Sequence, residues 1–233
     1  MQRKQEVNTW RFFEQIADRY DLINSLISFR QHQRWRKQTM KQLTLRPGQR
    51  VLDLCCGTCD WTVELAKAVG AEGKVVGLDF SQQMLVQGRA KIAQANLQNV
   101  ELICDNALQL PFSNDCFDYV TIGFGLRNVQ NYQQVIKEMY RVVKPAGTAV
   151  CLETSQPSLL LYKQLYHFYF KYAMPLIGKI VSNNYEAYNW LQQSTFNFLN
   201  KAELAQLFID NGFSQVFVHS FSGGVAAMHL CIK

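Results

Sequence analysis

The 233-residue sequence predicts an α/β fold, in which a single domain (residues 1–233) is built on a doubly wound, mostly parallel sheet of seven strands. Two observations predict it. Short apolar runs alternate with amphipathic segments of helix length, as parallel strands alternate with crossover helices. After the fifth run, the chain ends in one more helix and two strands separated by Ser222-Gly223-Gly224, a hairpin signal that predicts an antiparallel pair.

The first 46 residues are predicted to form helices that precede the sheet. Trp10, Phe13, Ile16 and Tyr20 recur at helical spacing, and the pattern continues to the turn at Pro47. Residues 1–50 contain 11 Lys/Arg and four Asp/Glu, whereas the rest of the chain contains 13 Lys/Arg and 14 Asp/Glu, so the basic excess lies in the N-terminal segment. A basic segment of this kind favours anionic lipid, nucleic acid or an acidic ligand, and it equally fits a solvated helix surface.

The central part of the sequence predicts five strands with helices between them. The strands are expected at Val51–Cys55, Lys74–Asp79, Val100–Cys104, Tyr119–Ile122 and Thr148–Glu153, and the helices at 60–69, 82–95 and 132–143. Ser81 has the side chain and the position of an N-cap. Alternation of this kind places the carboxyl ends of the strands at one edge of the sheet, where such folds bind ligands.

Residues 156–198 interrupt the alternation and predict a helical insertion. Lys163, His167 and Lys171 form one polar stripe at spacings i, i+4 and i+8, and Leu, Tyr and Phe cover the remaining surface. So wide an apolar face is typical of a helix at a membrane interface or of a lid over an apolar ligand. A helix packed on the sheet is the simpler alternative.

The seven cysteines are irregularly spaced and fall mostly in apolar runs, which predicts buried, reduced thiols and a cytoplasmic protein. Cys55, Cys56 and Cys59 lie close together, but no second Cys/His pair follows at a zinc-like spacing, so no metal site is expected. The first residues lack the apolar core of a secretory signal. The sequence contains no stretch of ~18 apolar residues, so a membrane-spanning helix is not expected.

Three polar strand ends predict a nucleoside-cofactor site. The small-residue turn around Gly57 and Thr58 lets backbone N–H groups approach a ligand, and Asp79 can accept both hydroxyls of a ribose. Asp105 and Asn106 follow the third strand, where a carboxylate and an amide can recognise adenine. A dinucleotide dehydrogenase is the main rival, but its turn usually carries three glycines.

Three separate stretches carry a resemblance to a known family. They are Tyr20–Asn24, Gly123–Val129 and Arg141–Gly147. On these motifs the chain resembles, nearly from end to end, the quinone-biosynthesis C-methyltransferases that act on demethylmenaquinone, demethylphylloquinone or a ubiquinone precursor. The resemblance implies the class I, Rossmann-like methyltransferase fold with S-adenosylmethionine as cofactor. An enzyme that transfers a methyl group to a ring carbon is therefore expected.

The expected cofactor contacts combine the strand-end residues with the family's contacts carried over by position. They are Asp53, Gly57, Thr58, Asp79, Asp105, Asn106, Ala107 and Gly123. Two positions depart from the family pattern, which commonly has Gly where Cys59 stands and Ser where Gly123 stands. Gly123 can therefore contact a cofactor only through its backbone.

The expected substrate is a prenylated naphthoquinol. Asp53–Gly57, Gly77–Ser81 and Glu138–Arg141 look most like the branch in photosynthetic organisms, which implies demethylphylloquinol (2-phytyl-1,4-naphthoquinol). Demethylmenaquinol, a ubiquinone precursor, a small phenol for O-methylation and a non-catalytic carrier role are the alternatives. A nucleic-acid substrate is not expected, because residues 123–126 lack an Asn/Asp-Pro-Pro-aromatic run and no Pro-Cys pair occurs.

Three residues are candidates for catalysis. His32 has a side chain whose usual pKa of ~6.5 suits a general base, although it can equally anchor a helix. Arg127 and Asn128 follow the fourth strand and can orient the quinol oxygens or stabilise an oxyanion. The alternative for Arg127 is a salt bridge to Asp118 or Glu138. Water or a carboxylate such as Asp21 would take the ring proton.

A prenylated substrate and a water-soluble cofactor must meet in one site. The basic N-terminal helices and the apolar insertion predict peripheral association with a membrane surface, and the sequence leaves the oligomeric state open.

Overall fold

The computed structural model describes residues 13–157, 164 and 192–233. Most of the predicted insertion, including its stripe of Lys163, His167 and Lys171, lies outside the described residues. Within the described ranges, no helix has the length and apolar character needed to cross a bilayer.

In the described residues, a helical stretch at 13–16 and a 3-10 turn at Ala17–Arg19 lead into the helices α1 (Tyr20–Ile27) and α2 (Gln31–Gln42), which precede the sheet. The sequence predicted helices over this segment but did not place a break near residue 29, where Phe29 and Arg30 adopt left-handed backbone conformations with φ of 49° and 59°. A left-handed residue cannot continue an α-helix, so the chain changes direction between the two helices.

A seven-stranded sheet forms the centre of the fold, with the strand order β3-β2-β1-β4-β5-β7-β6. The strands are β1 (Arg50–Leu54), β2 (Lys74–Asp79), β3 (Val100–Cys104), β4 (Phe117–Gly123), β5 (Val143–Thr154), β6 (Gln215–Phe221) and β7 (Ala226–Ile232). The first five pair in parallel, and β7 runs antiparallel between β5 and β6. The predicted fold class, with its terminal antiparallel pair, is confirmed.

Within the described residues, the helices that connect these strands include α3 (Asp60–Val69), α4 (Gln82–Gln94), α5 (Tyr132–Val142) and α6 (Lys201–Asp210). Ser81 caps α4 as predicted, because its hydroxyl oxygen accepts a hydrogen bond from the Met84 amide at 3.2 Å. Asn200 and Glu203 form a reciprocal capping box at the start of α6. The helix boundaries therefore follow local polar signals.

Hydrophobic side chains fill both faces of the sheet. Along β1, Val51 packs in one core cluster with Trp61 and Leu65 of α3, and Leu52 packs in the other with residues of α5 and α6. The side chains of Val51, Trp61 and Leu65 are at most 4% exposed. Successive strand residues point to opposite faces, so a strand covered on both sides is apolar along its length.

The fifth strand is longer than predicted. It begins at Val143, directly after α5, and includes Pro145 and Gly147, which the sequence placed between the predicted helix and a strand that begins at Thr148. Phe117 of β4 pairs with Val143, and a register shift then follows before Tyr119 pairs with Thr148. The bulge accommodates the Pro-Ala-Gly stretch within the strand, because an irregularity relieves proline of its ladder hydrogen bond.

Candidate active site

The carboxyl ends of β2, β1 and β4 lie side by side at one edge of the sheet. Leu54 of β1 is in register with Leu78 of β2 and with Ile122 of β4. The loops that follow these three strands therefore meet, as the sequence predicted from the order of the elements.

The loop after β1 is tightly wound. Cys55, Gly57 and Cys59 have positive φ values of 51°, 54° and 64°. Only glycine adopts this conformation without steric cost, so Cys59 is strained where the family commonly has glycine. Its sulfur packs against α4, where a Cβ built on Gly88 would lie 2.4 Å from it.

Asp79 is held at the centre of this edge by backbone donors. The Gly57 amide donates to Asp79 Oδ2 and the Ser81 amide donates to Asp79 Oδ1, each at 2.9 Å. The side chain is buried, and burial raises the pKa of the Asp79 carboxyl to about 6 despite these hydrogen bonds. The carboxylate is thus ionised at neutral pH and keeps free acceptor capacity.

A smaller cavity of about 270 Å³ opens beside Asp79. Its polar wall includes Asp79, Asp105 and Asn106. The Asp105 carboxylate accepts a hydrogen bond from the Asn106 amide at 2.7 Å, and Asn106 Oδ1 accepts one from the Leu108 amide at 2.9 Å. The rest of the wall is mainly apolar and includes Leu78, Phe80, Met84, Ala107 and Val129.

A larger cavity of about 510 Å³ lies under the N-terminal helices. Its wall is rich in aromatic and aliphatic side chains, among them Ile27, Trp35, Trp61 and Phe124. The two cavities adjoin, because several residues line both of them: Tyr20, Cys55, Gly57, Gly123 and Phe124. A ligand in one cavity can therefore reach a ligand in the other.

Gly123 stands at this junction. A Cβ built on Gly123 would lie 2.6 Å from the ring of Trp61, which is too close for any side chain. Trp61 comes from α3, and its indole nitrogen donates to the sulfur of Met40 at 3.0 Å. The Trp61 ring therefore disfavours a side chain larger than hydrogen at position 123.

An ionic network ties the N-terminal helices to the loop after β1. Asp21 of α1 accepts a hydrogen bond from the Thr58 hydroxyl at 2.7 Å and pairs with Lys91 of α4 at 2.5 Å. Lys91 also pairs with Asp60, which in turn pairs with Arg36 of α2 at 3.1 Å. Asp21, proposed from the sequence as a proton acceptor, is thus already engaged by two donors.

Arg127 is fixed beneath the larger cavity by a buried ion pair. Its Nη1 lies 2.6 Å from Glu153 Oε1 and donates to the Phe124 carbonyl at 2.7 Å. The two charged side chains are 9% and 1% exposed. The sequence offered Asp118 or Glu138 as alternative partners, and this is wrong because those acids pair with lysine and arginine side chains of their own.

His32 lies in α2 and lines the larger cavity. Its Nδ1 lies 2.6 Å from the hydroxyl of Ser28, which directly follows α1. Burial, together with the positive charge of Arg36, lowers the pKa of His32 to about 4. The expectation of a pKa near ~6.5 is therefore wrong, and the imidazole is neutral throughout the physiological range.

Comparison with known proteins identifies the family. The model of the ubiE/COQ5 methyltransferase family matches residues 1–233. The chain belongs to this family. A demethylmenaquinone methyltransferase of Geobacillus stearothermophilus is 54% identical over 233 residues, which is 100% of both chains. The protein of that name from Geobacillus sp. (strain WCH70) is 54% identical over 230 residues, 99% of this chain and 98% of the relative.

Solved structures support the fold. A SAM-dependent methyltransferase of Thermotoga maritima, described as a possible histamine N-methyltransferase, superposes with a TM-score of 0.70 at 18% identity, covering 97% of this chain and 99% of that one. A SAM-dependent methyltransferase of Aquifex aeolicus has a TM-score of 0.62, covering 84% and 88%. The chain is therefore a class I methyltransferase that uses S-adenosylmethionine.

The smaller cavity fits the nucleoside of this cofactor. Asp79 offers a carboxylate for the ribose hydroxyls, and Asp105 and Asn106 offer an acid and an amide for the adenine edge. The apolar side chains of the same wall offer a surface against which the flat adenine base can pack.

The structure divides the predicted cofactor residues between the two cavities. Asp79, Asp105, Asn106 and Ala107 line the smaller cavity, and Gly57 and Gly123 line both. Asp53 and Thr58 line only the larger one. Asp53 is buried, and its carboxylate oxygens accept hydrogen bonds from the hydroxyls of Thr62 and Thr121 at 2.7 Å each. The cofactor roles of these eight residues stay predictions.

Asn128 and Arg127 are adjacent in sequence but line different cavities. Asn128 lines the smaller cavity and donates to the Phe124 carbonyl at 3.3 Å, whereas Arg127 lines the larger one. Their placement therefore does not favour a shared role for the two residues at one substrate oxygen. Tyr20 lines both cavities, and sequence reasoning assigned it no role although it opens one of the family-like stretches.

Proposed function

We propose that the protein methylates a ring carbon of a prenylated naphthoquinol, with demethylmenaquinol as the substrate. One observation carries the proposal: a cavity whose polar groups suit a nucleoside adjoins an aromatic cavity lined by His32 and Arg127. The relatives named above as demethylmenaquinone methyltransferases, at 54% identity, support this substrate. The phytyl tail implied by the sequence resemblance is the alternative that the same cavity admits.

The cofactor supplies an electrophilic methyl group on a sulfonium. The protein must hold the acceptor carbon in line with it at the junction near Gly123 and exclude water from both. Trp35, Trp61 and Phe124 give that part of the wall the flat, apolar surface that an aromatic ring requires. Only the reduced, quinol form of the ring is electron-rich enough to act as the nucleophile.

Removing a quinol proton moves negative charge onto the ring. His32 is uncharged at neutral pH, so its ring can accept a hydrogen bond from the quinol hydroxyl. Because its pKa is about 4 it is a weak base, and it takes the proton only when the anionic quinol that forms stabilises the imidazolium. The hydrogen bond with Ser28 fixes the ring orientation. The guanidinium of Arg127, held by Glu153, provides a fixed positive charge for the oxygen that becomes anionic. Asn128 faces the cofactor side and is proposed to orient the cofactor.

A prenylated substrate resides in the membrane, so we propose a membrane surface as the partner from which the enzyme takes it. Leu22 and Leu26 lie one turn apart on α1 and are 56% and 41% exposed, next to the Ile27 and Phe29 wall of the larger cavity. We propose that this face meets the bilayer and that the basic N-terminal segment strengthens the contact with anionic lipid. Absence of co-flotation with anionic vesicles would count against peripheral association.

The test is transfer of a labelled methyl group to a chosen acceptor. The expected result is C-methylation of reduced 2-prenyl-1,4-naphthoquinol and no reaction with the oxidised quinone. Menaquinone-type and phytyl tails are compared at equal concentration. A C-methylated product can be reoxidised to a quinone, whereas an O-methyl ether cannot, so mass and absorbance after oxidation separate the two chemistries. Binding of S-adenosylmethionine without turnover of any quinol would refute the proposal.

A further inference from the structure

Two residues that line the larger cavity each carry a buried polar atom that has no hydrogen-bond partner within the described part of the chain. The atoms are Arg127 Nε and the hydroxyl oxygen of Thr195. Both residues line the cavity, and Thr195 is 2% exposed. Thr195 comes just before α6 in sequence, far from the strand ends that mark the cofactor site, and no motif points to it.

Other hydroxyls on the same wall are engaged. The Ser28 hydroxyl contacts His32 at 2.6 Å, and the Ser222 hydroxyl accepts a hydrogen bond from the Trp35 indole at 2.9 Å. A buried hydroxyl without a partner costs the folded protein free energy, so such groups are rare in native structures. When the unpaired group lies on the wall of a binding cavity, a polar atom of the ligand is the natural partner.

We propose that Thr195 positions the substrate ring by hydrogen-bonding one of its two oxygens, while Arg127 binds the other. This inference rests on the proposed function, since the ligand is the quinol of that reaction. The oxygens of a 1,4-quinol lie on opposite sides of the ring, so two fixed polar groups determine how the ring is rotated in its plane. That rotation decides which ring carbon faces the methyl donor.

The chemistry of the two residues suits this role. Arg127 is immobilised by Glu153 and the Phe124 carbonyl, which leaves Nε as a donor of fixed direction. Threonine is β-branched and restricted about its first side-chain torsion, so little conformational freedom is lost when its hydroxyl binds a ligand. A hydroxyl can donate to a quinol oxygen or accept from it, and it therefore serves both the neutral and the ionised substrate.

The test compares two substitutions of similar size. Thr195→Val removes the hydroxyl, and Thr195→Ser keeps it. We expect kcat/KM for the quinol to fall by about fivefold in T195V, the value of one ordinary hydrogen bond, and to stay within about twofold in T195S. KM for S-adenosylmethionine should not change in either variant. The melting temperature of T195V should equal or exceed that of the unmodified protein, because an unpaired buried hydroxyl is lost.

A binding measurement makes the test independent of turnover. Trp35 and Trp61 line the cavity, so a 2-prenyl-1,4-naphthoquinone that binds there should quench tryptophan fluorescence. The dissociation constant should rise by about fivefold in T195V and not in T195S. Weaker quinone binding in T195V would support the positioning role even if the unmodified protein failed to methylate any quinol, an outcome that would refute only the proposed function.

Two results would overturn the inference. The first is unchanged quinone affinity and unchanged kcat/KM in T195V. The second is a lower melting temperature in T195V together with a raised KM for both substrates, which is what a residue that merely supports the fold would produce.

Discussion

The buried pair of Arg127 and Glu153 makes a quantitative prediction about stability. Glu153 accepts hydrogen bonds from Arg127 Nη1 at 2.6 Å, from the Arg127 amide at 3.2 Å and from the Thr154 amide at 2.7 Å. Glu153→Gln keeps the size of the side chain but removes its charge and replaces one acceptor with a donor. The guanidinium, 9% exposed, is then left in the interior without a counter-charge.

Breaking one side of a buried ion pair costs roughly 3–5 kcal/mol, because the remaining charge stays desolvated. For a domain of this size, 1 kcal/mol corresponds to about 2–4 °C in melting temperature, so E153Q should unfold roughly 6–20 °C below the unmodified protein. Scanning calorimetry measures the shift. kcat should fall as well, since Arg127 is no longer held against the cavity.

The chain offers a matched control. Glu101 pairs with Lys74 at 2.6 Å, but these side chains are 49% and 50% exposed. Solvent screens such a pair, so Glu101→Gln should cost below about 1 kcal/mol. Melting temperatures of E153Q and E101Q within 1 °C of each other would show that the pair of Arg127 and Glu153 is not an important buried interaction.

Two further predictions concern one ionisable group on the wall of each cavity, Asp79 in the smaller and His32 in the larger. Burial raises the pKa of Asp79 to about 6, so the affinity for S-adenosylmethionine should fall as pH decreases through about 6 and the carboxylate gains a proton. Asp79→Asn should weaken binding by about tenfold or more at pH 8 and remove that pH dependence, which calorimetric titration can measure. If the dissociation constant of the unmodified protein did not change between pH 5 and 8, the prediction would be wrong. Burial lowers the pKa of His32 to about 4, so kcat should show no inflection near pH 6.5 from this group. His32→Gln should reduce kcat by roughly 100-fold or more if the imidazole is the base, and kcat within about threefold of the unmodified protein would exclude that role.

Much of the fold was predictable because its signals are local. The period of apolar residues distinguishes buried strands from helices, and Ser81 and Gly223 mark a cap and a turn by their own chemistry. The ends of parallel strands share one edge of the sheet, so Gly57 and Asp79 were expected to meet, and the amide of one donates to the carboxylate of the other.

The boundaries of β5 and the break between α1 and α2 were not predictable in the same way. Pro145 and Gly147 normally end a strand, but pairing with β4 through a bulge retains them in β5. Phe29 and Arg30 have no local preference for the left-handed region, and they adopt it where the chain turns between two helices. In both places tertiary contacts outweigh local preference.

The sequence by itself determined the order of the elements, the edge of the sheet at which the nucleoside site is predicted and the family resemblance. Only the tertiary structure decided that Glu153 pairs with Arg127, that the Trp61 ring crowds position 123, and that Thr195 lies on the wall of the aromatic cavity. The physical reason is that strand and helix periods depend on near neighbours in the chain. Ion pairs, ring contacts and the burial that lowers the pKa of His32 depend on elements that only packing brings together.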